Sequence, residues 1–373
     1  MATYYYNYHI FPEYLAHQLT PSVFIIPLPL DTLGHASPAI LHVLVSVAIR
    51  HRIYRVASNA GDKRGLVDLR SKYYHHRARA ISALNDDIYS CKNVYTLMVG
   101  ALVFVFAELQ QSSAPAWKVH MDAMMGMLSR AGGMATICRA LPGMRTAMVL
   151  YTITTSPPCT STLRPSELED MLQFTAETWE DIPYHSFTCP LEVLHAIIHT
   201  NYLRASAPDE IPRSELVPAP EAVLSRLTAF SPEVWAACRP CAHDGWLLIA
   251  RAHHSAAVLY LISTLGPRLL ALSLQEVELV RAVHASRLRS ALKESEPLSS
   301  VRIGTLWPLI VAGVEVAPGD GHLRSLVRKR LDRLADDLAT PLMVEAREVL
   351  EGYWASGREG WDECFDRPYA FVL

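Results

Sequence analysis

Residues Trp117 to Leu128, WKVHMDAMMGML, show most clearly how this chain folds. Their large apolar side chains recur at steps of three and four residues, which places them along one side of an α-helix. The segment follows Pro115 and stops at Gly132-Gly133, and glycine in a left-handed turn commonly ends a helix. It therefore predicts a helix with one apolar stripe between Pro115 and Gly132.

Similar helical patterns fill most of the remaining chain. No stretch alternates apolar and polar residues with a period of two between turns, so we expect little or no β-sheet. The predicted fold class is all-α, an irregular multi-helix bundle. The predicted helices cover residues 38–52, 66–84, 87–110, 116–131, 166–178, 190–204, 221–229, 232–238, 245–265, 274–292, 301–316, 321–338 and 341–356.

Two early helices carry specific expectations. In the helix over 66–84, the pattern predicts Arg77 and Arg79 in water and, facing inward, Ala78, Ile81 and Leu84. The next helix is expected to start at Asp86-Asp87, because carboxylates suit the positive end of a helix dipole.

The domain organisation predicted is one helical body with a lead-in. Residues 1–37 hold several prolines and few charges, which predicts an extended segment docked on the body. Residues 38–373 form a single helical domain. The proline-rich stretches 156–165 and 208–220 mark candidate joints between subdomains, although apolar helices continue on both sides of each.

Composition narrows the function classes. Half of the 373 residues are apolar and the net charge is −3, so the chain is core-rich and has no overall basic field to attract nucleic acid. The longest apolar runs, 94–107 and 40–49, are too short to span a bilayer, which needs about 20 residues, so no membrane association is expected. An odd number of cysteines, seven, without a secretory signal favours reduced thiols and a nuclear or cytoplasmic location.

Five stretches resemble the motifs of one known family and occur in the family's order. They are WKVHMDA with LSRAGG in 117–133, CPLEVL with NYLR in 189–204, FSPEVW in 230–235, LWPLIVAGVE in 306–315, and YWASG with WDECFDRPY in 353–369. The family is the fungal-specific transcription factor domain, in the branch that includes acriflavine-sensitivity regulators. The resemblance implies an all-helical regulatory domain and an origin in fungal gene regulation.

The sequence departs from that family at its front. Members usually carry an N-terminal module whose six cysteines hold two zinc ions and bind DNA. Here the first cysteine is Cys91, and no Cys-x-x-Cys pair precedes the resembling region. We therefore expect no direct, specific DNA binding by this chain; a lost upstream exon that encodes the module remains an alternative.

One cysteine pair has the spacing of half a zinc site. It is Cys238-Arg239-Pro240-Cys241, with His243 just beyond it. Structural zinc needs four ligands, and the nearest others, His253 and His254, lie on a predicted helix. A metal site and a loop with two free thiols are both open at this point; we expect free thiols and no metal or cofactor.

Three residues are candidates for acid–base chemistry: His120, Asp122 and Glu315. A buried histidine titrates near neutral pH, and Glu315 lies in an apolar run where burial raises the pKa of a carboxyl. The alternative is purely structural. In that case His120 is a core residue bonded to a carbonyl or to Glu315, and Glu315 pairs with Arg204 or Arg302.

Basic residues cluster near the C-terminus of the chain, interspersed with acids. The mixture predicts a solvated helix face with ion pairs between successive turns, and a phosphate-binding face is the alternative. The basic members are Arg324, Arg328, Lys329, Arg330 and Arg333.

Two functional hypotheses follow. In the first, the helical domain is a regulatory protein that binds other regulatory proteins or a small hydrophobic ligand, with a hydrophobic face for a homodimer. In the second, a repurposed domain is a cofactor-independent enzyme of fungal secondary metabolism, such as a cyclase, pericyclase or isomerase. Its apolar cavity would then be lined by Trp117, Met121, Met124 and Trp307.

Overall fold

The fold is entirely helical in the part of the chain that the computed structural model describes. That part comprises residues 1–17, 19, 27–28, 34, 36–58, 63–90, 94–111, 116–140, 148, 152, 164–178, 188–206, 218–239, 241–266, 272–367 and 369. No strand occurs within these residues, which confirms the all-α class. None of their helices is both long enough and apolar enough to cross a membrane.

The N-terminal segment is helical where we expected an extended chain. Helix α1 (Ala2–Tyr5), a π-helical turn (Tyr6–Ile10) and α2 (Phe11–Ala16) follow one another directly. The expectation of an extended chain was wrong for residues 2–16. Proline is tolerated in the first turn of a helix, as in α2, because the backbone N–H that it lacks would have no partner within the helix there. Ile10 and Tyr14 are buried in the main core and attach these helices to the body.

The remaining helices follow in chain order. They are α3 (Pro38–Ser58), α4 (Lys63–Tyr89), α5 (Val94–Gln111), α6 (Ala116–Arg130), α7 (Met134–Ala140), α8 (Pro165–Thr178), α9 (Leu191–Ala205), α10 (Pro220–Ala229), α11 (Pro232–Ala237), α12 (His243–Leu265), α13 (Leu274–Ser295), α14 (Ser299–Arg302), a 3₁₀ turn (Ile303–Thr305), α15 (Leu306–Val314), α16 (Gly321–Leu338), α17 (Leu342–Ser356) and α18 (Trp361–Cys364). The candidate joints 156–165 and 208–220 lie outside the described residues, apart from 164–165 and 218–220.

Helix α4 differs from the prediction in its length. It runs on to Tyr89, so Asp86 and Asp87 lie in its last turn and not in the first turn of α5. A carboxylate near a helix end changes stability by less than about 1 kcal/mol, so packing of α4 against α3 outweighs the local charge preference.

The faces of α4 also differ from the prediction. Arg77, expected in water, turns toward α5 and pairs with the buried Glu108 at 2.9 Å. Ala78 and Ile81, expected inside, are exposed, and the exposed fraction of Ile81 is 41%. The buried line instead carries Ala80, one residue and about 100° around the helix from Ile81.

The turn after α6 confirms the predicted helix end at Gly132-Gly133. Both glycines have positive φ, 85° and 90°. A Cβ on Gly133 would lie 2.5 Å from a carboxylate oxygen of Asp170, and that carboxylate accepts a hydrogen bond from the amide of Met134 at 2.9 Å. The glycine pair therefore lets a side chain of α8 cap the start of α7.

Helix α12 is the centre of the molecule. Most of its side chains are buried, and α9, α11, α13 and α15 pack around it. A helix that is apolar on all sides belongs in a core, and this one positions the short helices α10 and α11 on the molecular surface beside α9.

Candidate functional site

The four residues expected to line an apolar cavity are packed in the core. Trp117, Met121 and Met124 are at most 1% exposed and belong to the main cluster of buried side chains. Trp307 is also buried, with its ring centroid 6.2 Å from that of His253 and 5.9 Å from that of Tyr260.

The two acid–base candidates on α6 lie in different surroundings. Asp122 is exposed and accepts from the ammonium of Lys118 at 2.7 Å, one turn earlier on the same helix. His120 is half-buried, and its ring centroid lies 4.8 Å from that of Phe104. Burial, and then the nearby guanidinium of Arg77, lower the pKa of His120, so its ring is neutral at pH 7.

Glu315 is an ion-paired carboxylate at the end of α15. Its partner is Arg281, 3.2 Å away on α13, and not the expected Arg204 or Arg302. Those two arginines pair with Asp362 and Asp337. Desolvation raises the pKa of Glu315, and the Arg281 charge opposes that rise.

The Cys238–Cys241 pair carries free thiols on the surface. Both cysteines are exposed, and neither is in a disulfide. Across the described residues, no group of three or more histidine, cysteine or acidic side chains could hold a metal ion.

The basic cluster on α16 is only partly a solvated face. Arg328 and Arg333 are largely exposed and pair with Glu351 and Glu296. Arg330 is completely buried, contrary to our expectation. The sequence pattern could not predict this burial, because a buried arginine is identified by the acceptors that surround it and those come from other helices.

A cleft of about 930 Å³ opens between α9, α10 and α11. Its lining is mainly apolar, with a few polar groups at intervals. The residues are Leu191, Glu192, His195, Ala196, His199, Val223, Arg226, Ala229, Phe230, Ser231, Val234, Trp235, Cys238 and Arg239. A volume of 300–1,000 Å³ and a mostly apolar wall with few polar groups are typical of sites for small organic ligands.

His195 supplies a neutral polar group on the cleft wall. Its Nε2 lies 2.8 Å from the hydroxyl of Thr175, which fixes the ring from the α8 side. Burial, and then the charge of Arg226, lower the pKa of His195 to about 4. At pH 7 the ring is therefore neutral, and because its Nε2 is bonded to Thr175, Nδ1 is the ring nitrogen that this contact leaves for a ligand.

The far wall of the cleft is held by stacked rings. The guanidinium carbon of Arg239 lies 3.8 Å from the ring centroid of Trp235 and 5.6 Å from that of the buried Trp246. The two indoles meet edge to face at 5.8 Å. Beside them Ser231 caps α11 by accepting from the amide of Val234 at 3.2 Å, which positions Val234 on the rim, 67% exposed.

Sequence reasoning missed these cleft residues although a signal was present. Leu191 and Glu192 belong to the CPLEVL motif, and Phe230 to Trp235 are the FSPEVW motif. Two of the five quoted motifs therefore meet at one cleft. The order of motifs along the chain does not show which motifs are neighbours in space, so only the structure reveals that these two line one cleft.

The described residues form an all-helical body with a buried core and a mainly apolar surface cleft, and such a cleft is typical of a binding site for a small organic ligand. The model of the fungal specific transcription factor domain matches residues 5–371, and the chain belongs to this family.

A curated relative points to the same kind of role. The chain is 30% identical over 355 residues to the phomenoic acid biosynthesis cluster-specific transcriptional regulator of Leptosphaeria maculans, and the match covers 88% of this chain. The chain spans 65% of the length of that relative. No solved structure matches. Family and relative together support a regulatory role in fungal transcription.

Proposed function

We propose that this chain is a regulator of fungal secondary-metabolism genes that acts in the nucleus by binding a small hydrophobic ligand, and that its 373 residues make no specific contact with DNA. The printed name of the relative, a regulator of one biosynthetic gene cluster, supports the link to secondary metabolism. The net charge of −3 and the lack of a six-cysteine cluster among these 373 residues support the absence of DNA contact.

The cleft between α9, α10 and α11 is the observation that carries the proposal. Two family motifs build it, its wall is mainly apolar, and its volume of about 930 Å³ lies in the range of sites for small organic ligands. We expect other regulatory proteins to recognise the ligand-bound domain, because Val234 and Arg226 lie at the rim of the cleft and are exposed.

The enzyme hypothesis requires an enclosed cavity that contains His120 or Glu315. Neither residue lines the cleft, and Trp117 and Met124 fill the space around α6. Burial of these side chains in the core favours the regulator over shape-based catalysis.

A complementation experiment in the fungus tests the proposal. The gene is deleted, and transcripts of neighbouring biosynthetic genes are measured after reintroduction of the wild type, Val234→Asp or Val119→Asp. The two valines have matched exposures, 67% and 68%, but only Val234 lines the cleft. We expect the wild type and Val119→Asp to restore the transcripts, and Val234→Asp to leave them several-fold lower because a carboxylate does not desolvate favourably in an apolar site.

Metabolite analysis of the deletion strain separates the two functions. Unchanged transcripts together with an accumulating pathway intermediate would establish an enzyme and contradict the regulator.

A further inference from the structure

The hydrogen bonds around Thr175 determine which ring nitrogen of His195 carries the proton. The Thr175 hydroxyl lies 2.8 Å from the carbonyl oxygen of Met171 and 3.0 Å from that of Leu172, and it has a single proton to donate. Oxygen lone pairs would repel each other at this separation, so the proton points to the α8 backbone. Toward Nε2 of His195, 2.8 Å away, the hydroxyl therefore accepts. The neutral ring thus carries its proton on Nε2, and Nδ1 is a hydrogen-bond acceptor.

An acceptor on the cleft wall selects the ligand group that meets it. His195 lines the cleft, and the contact with Thr175 leaves Nδ1 for a ligand. A carboxylate has no proton to donate, so its oxygens would repel the Nδ1 lone pair. An ammonium group is disfavoured because the positive charge of Arg226 acts on this ring and lowers its pKa. The group that meets His195 is therefore a neutral donor, and a hydroxyl is the simplest one.

Arg226 supplies a positive charge beside that acceptor. It lines the cleft from α10, it is exposed, and no acid among the residues that the structure describes pairs with it. The charged side chains of the lining are Arg226, Arg239 and Glu192, so positive charge exceeds negative charge there. Because Arg239 is stacked on the ring of Trp235, Arg226 is the guanidinium that remains for a ligand anion. A guanidinium binds a carboxylate through two parallel hydrogen bonds.

We propose that the cleft binds an aliphatic hydroxy acid, whose carboxylate pairs with Arg226 and whose hydroxyl donates to Nδ1 of His195. The alkyl chain then lies against the apolar part of the wall, which includes Leu191, Val223 and Val234. In this arrangement each polar group of the ligand meets a complementary group and none is desolvated without a partner. The inference rests on the proposed ligand function, because it names the chemistry of the molecule that the same cleft binds.

Calorimetric titration of the purified 373-residue chain with three probes tests the proposal. The probes are 3-hydroxydecanoic acid, decanoic acid, which lacks the hydroxyl, and methyl 3-hydroxydecanoate, which lacks the charge. We expect the hydroxy acid to bind roughly fivefold or more tightly than either analogue, because each analogue leaves one polar group of the cleft without its partner.

Two substitutions separate the contributions of the two polar groups. Arg226→Gln should abolish the preference for the acid over the ester and retain the preference for the hydroxyl. His195→Phe should abolish the preference for the hydroxyl and retain the preference for the acid. Arg139→Gln is the matched control, because Arg139 lies on α7, outside the cleft, and is 61% exposed; both preferences should stay unchanged. Each preference compares two probes on one variant, so a general loss of affinity does not imitate either result.

A second variant covers the case in which circular dichroism shows that His195→Phe is unfolded. Thr175→Val keeps the shape of the side chain and removes the acceptor of the Nε2 proton. The proton is then free to move to Nδ1, which converts the acceptor that faces the ligand into a donor. The preference for the hydroxyl should therefore fall in this variant, while the preference for the acid stays.

Two kinds of result would overturn the inference, and they differ in what they say about the cleft. Equal binding of all three probes, abolished by Val234→Asp, would exclude the hydroxy acid and keep the cleft as a ligand site. No binding of any probe at concentrations on the order of 1 mM would also exclude it. The proposed regulatory function is decided separately, because the transcripts of the Val234→Asp strain are measured without any of these probes.

Discussion

The buried Arg330 offers the sharpest test of how this helical body is held together. Its guanidinium donates to the carbonyl of Leu292 at 2.7 Å, to the hydroxyl of Ser295 at 2.8 Å and to the hydroxyl of Thr305 at 2.7 Å. Glu296 lies 3.6 Å away and supplies the compensating charge. The Arg330 side chain of α16 thus connects the end of α13 to the 3₁₀ turn before α15 through hydrogen bonds.

Replacement of Arg330 by methionine keeps most of the volume and removes all three donated hydrogen bonds. A hydrogen bond from a charged group contributes about 1.5–3 kcal/mol to stability. The substitution also removes the cost of desolvating the cation, and this offsets part of the lost stability. Desolvation is considerable here, since it lowers the pKa of Arg330 to about 10. We expect a net loss of about 3–5 kcal/mol in the free energy of unfolding, the usual cost of breaking a buried charged cluster.

The assay is thermal unfolding monitored by circular dichroism. At about 2.1 cal/mol/K of unfolding entropy per residue, a loss of about 3–5 kcal/mol lowers the Tm of a chain of this size by about 4–6 °C. Arg333→Met is the matched control, because Arg333 is 52% exposed and contacts the same Glu296 at 3.4 Å. The control should change stability by at most about 1 kcal/mol.

Two results would refute this reasoning. If Arg330→Met unfolds within about 1 °C of the Arg333→Met control, the hydrogen bonds of Arg330 contribute no more than a surface pair. If it is more stable than the wild type, desolvation of the cation outweighs all of its contacts.

Two further predictions concern packing and pH. Gly313→Ala should lower the free energy of unfolding by about 1–3 kcal/mol, because the added Cβ would lie 2.6 Å from a side-chain carbon of Leu350. Gly352→Ala is the control: its added Cβ would have no neighbour within 4 Å, so stability should be unchanged or slightly higher. Equal Tm values for the two variants would contradict this prediction. Burial lowers the pKa values of His253 and His284 to about 4 in the folded chain. As the pH falls, the unfolded chain therefore binds protons at these histidines before the folded chain does, so stability should be full above about pH 6.5 and fall toward pH 4. His284→Gln should flatten this fall by up to about 1.4 kcal/mol per pH unit in urea titrations, and an unchanged slope would rule out its part in it.

The sequence predicted the helices well because their signals are local. The predicted start of a helix at residue 38 coincides with a proline that follows Ser37, and the predicted end at 132–133 with paired glycines; both positions are confirmed. The orientation of α4 was not predictable in the same way. Its sequence carries two apolar stripes about 100° apart, one with Ala80 and one with Ile81, and only the positions of α3 and α5 decide which is buried.

The candidate site was less accessible from the sequence for a related reason. His195 looks like an ordinary helix residue until the fold brings Thr175 to it and buries its ring. For Glu315 the sequence left an acid–base role and an ion pair both open, and the fold shows an ion pair. Its partner, Arg281, is set by the packing of α13 on α15 and not by any pattern near either residue.

The quoted motifs look alike in the sequence but have different physical roles in the fold. In LWPLIVAGVE the helix is buried throughout, and its glycine allows Leu350 to approach while its carbonyl accepts from the indole of Trp354 at 2.8 Å. In FSPEVW, by contrast, Val234 is exposed on the rim of a cleft. A buried motif residue is constrained by packing, so its substitution costs stability first and function second. An exposed apolar residue in a motif contributes little to folding, so its presence at the cleft points to what binds there, and substitution at Val234 should change regulation while the Tm stays the same.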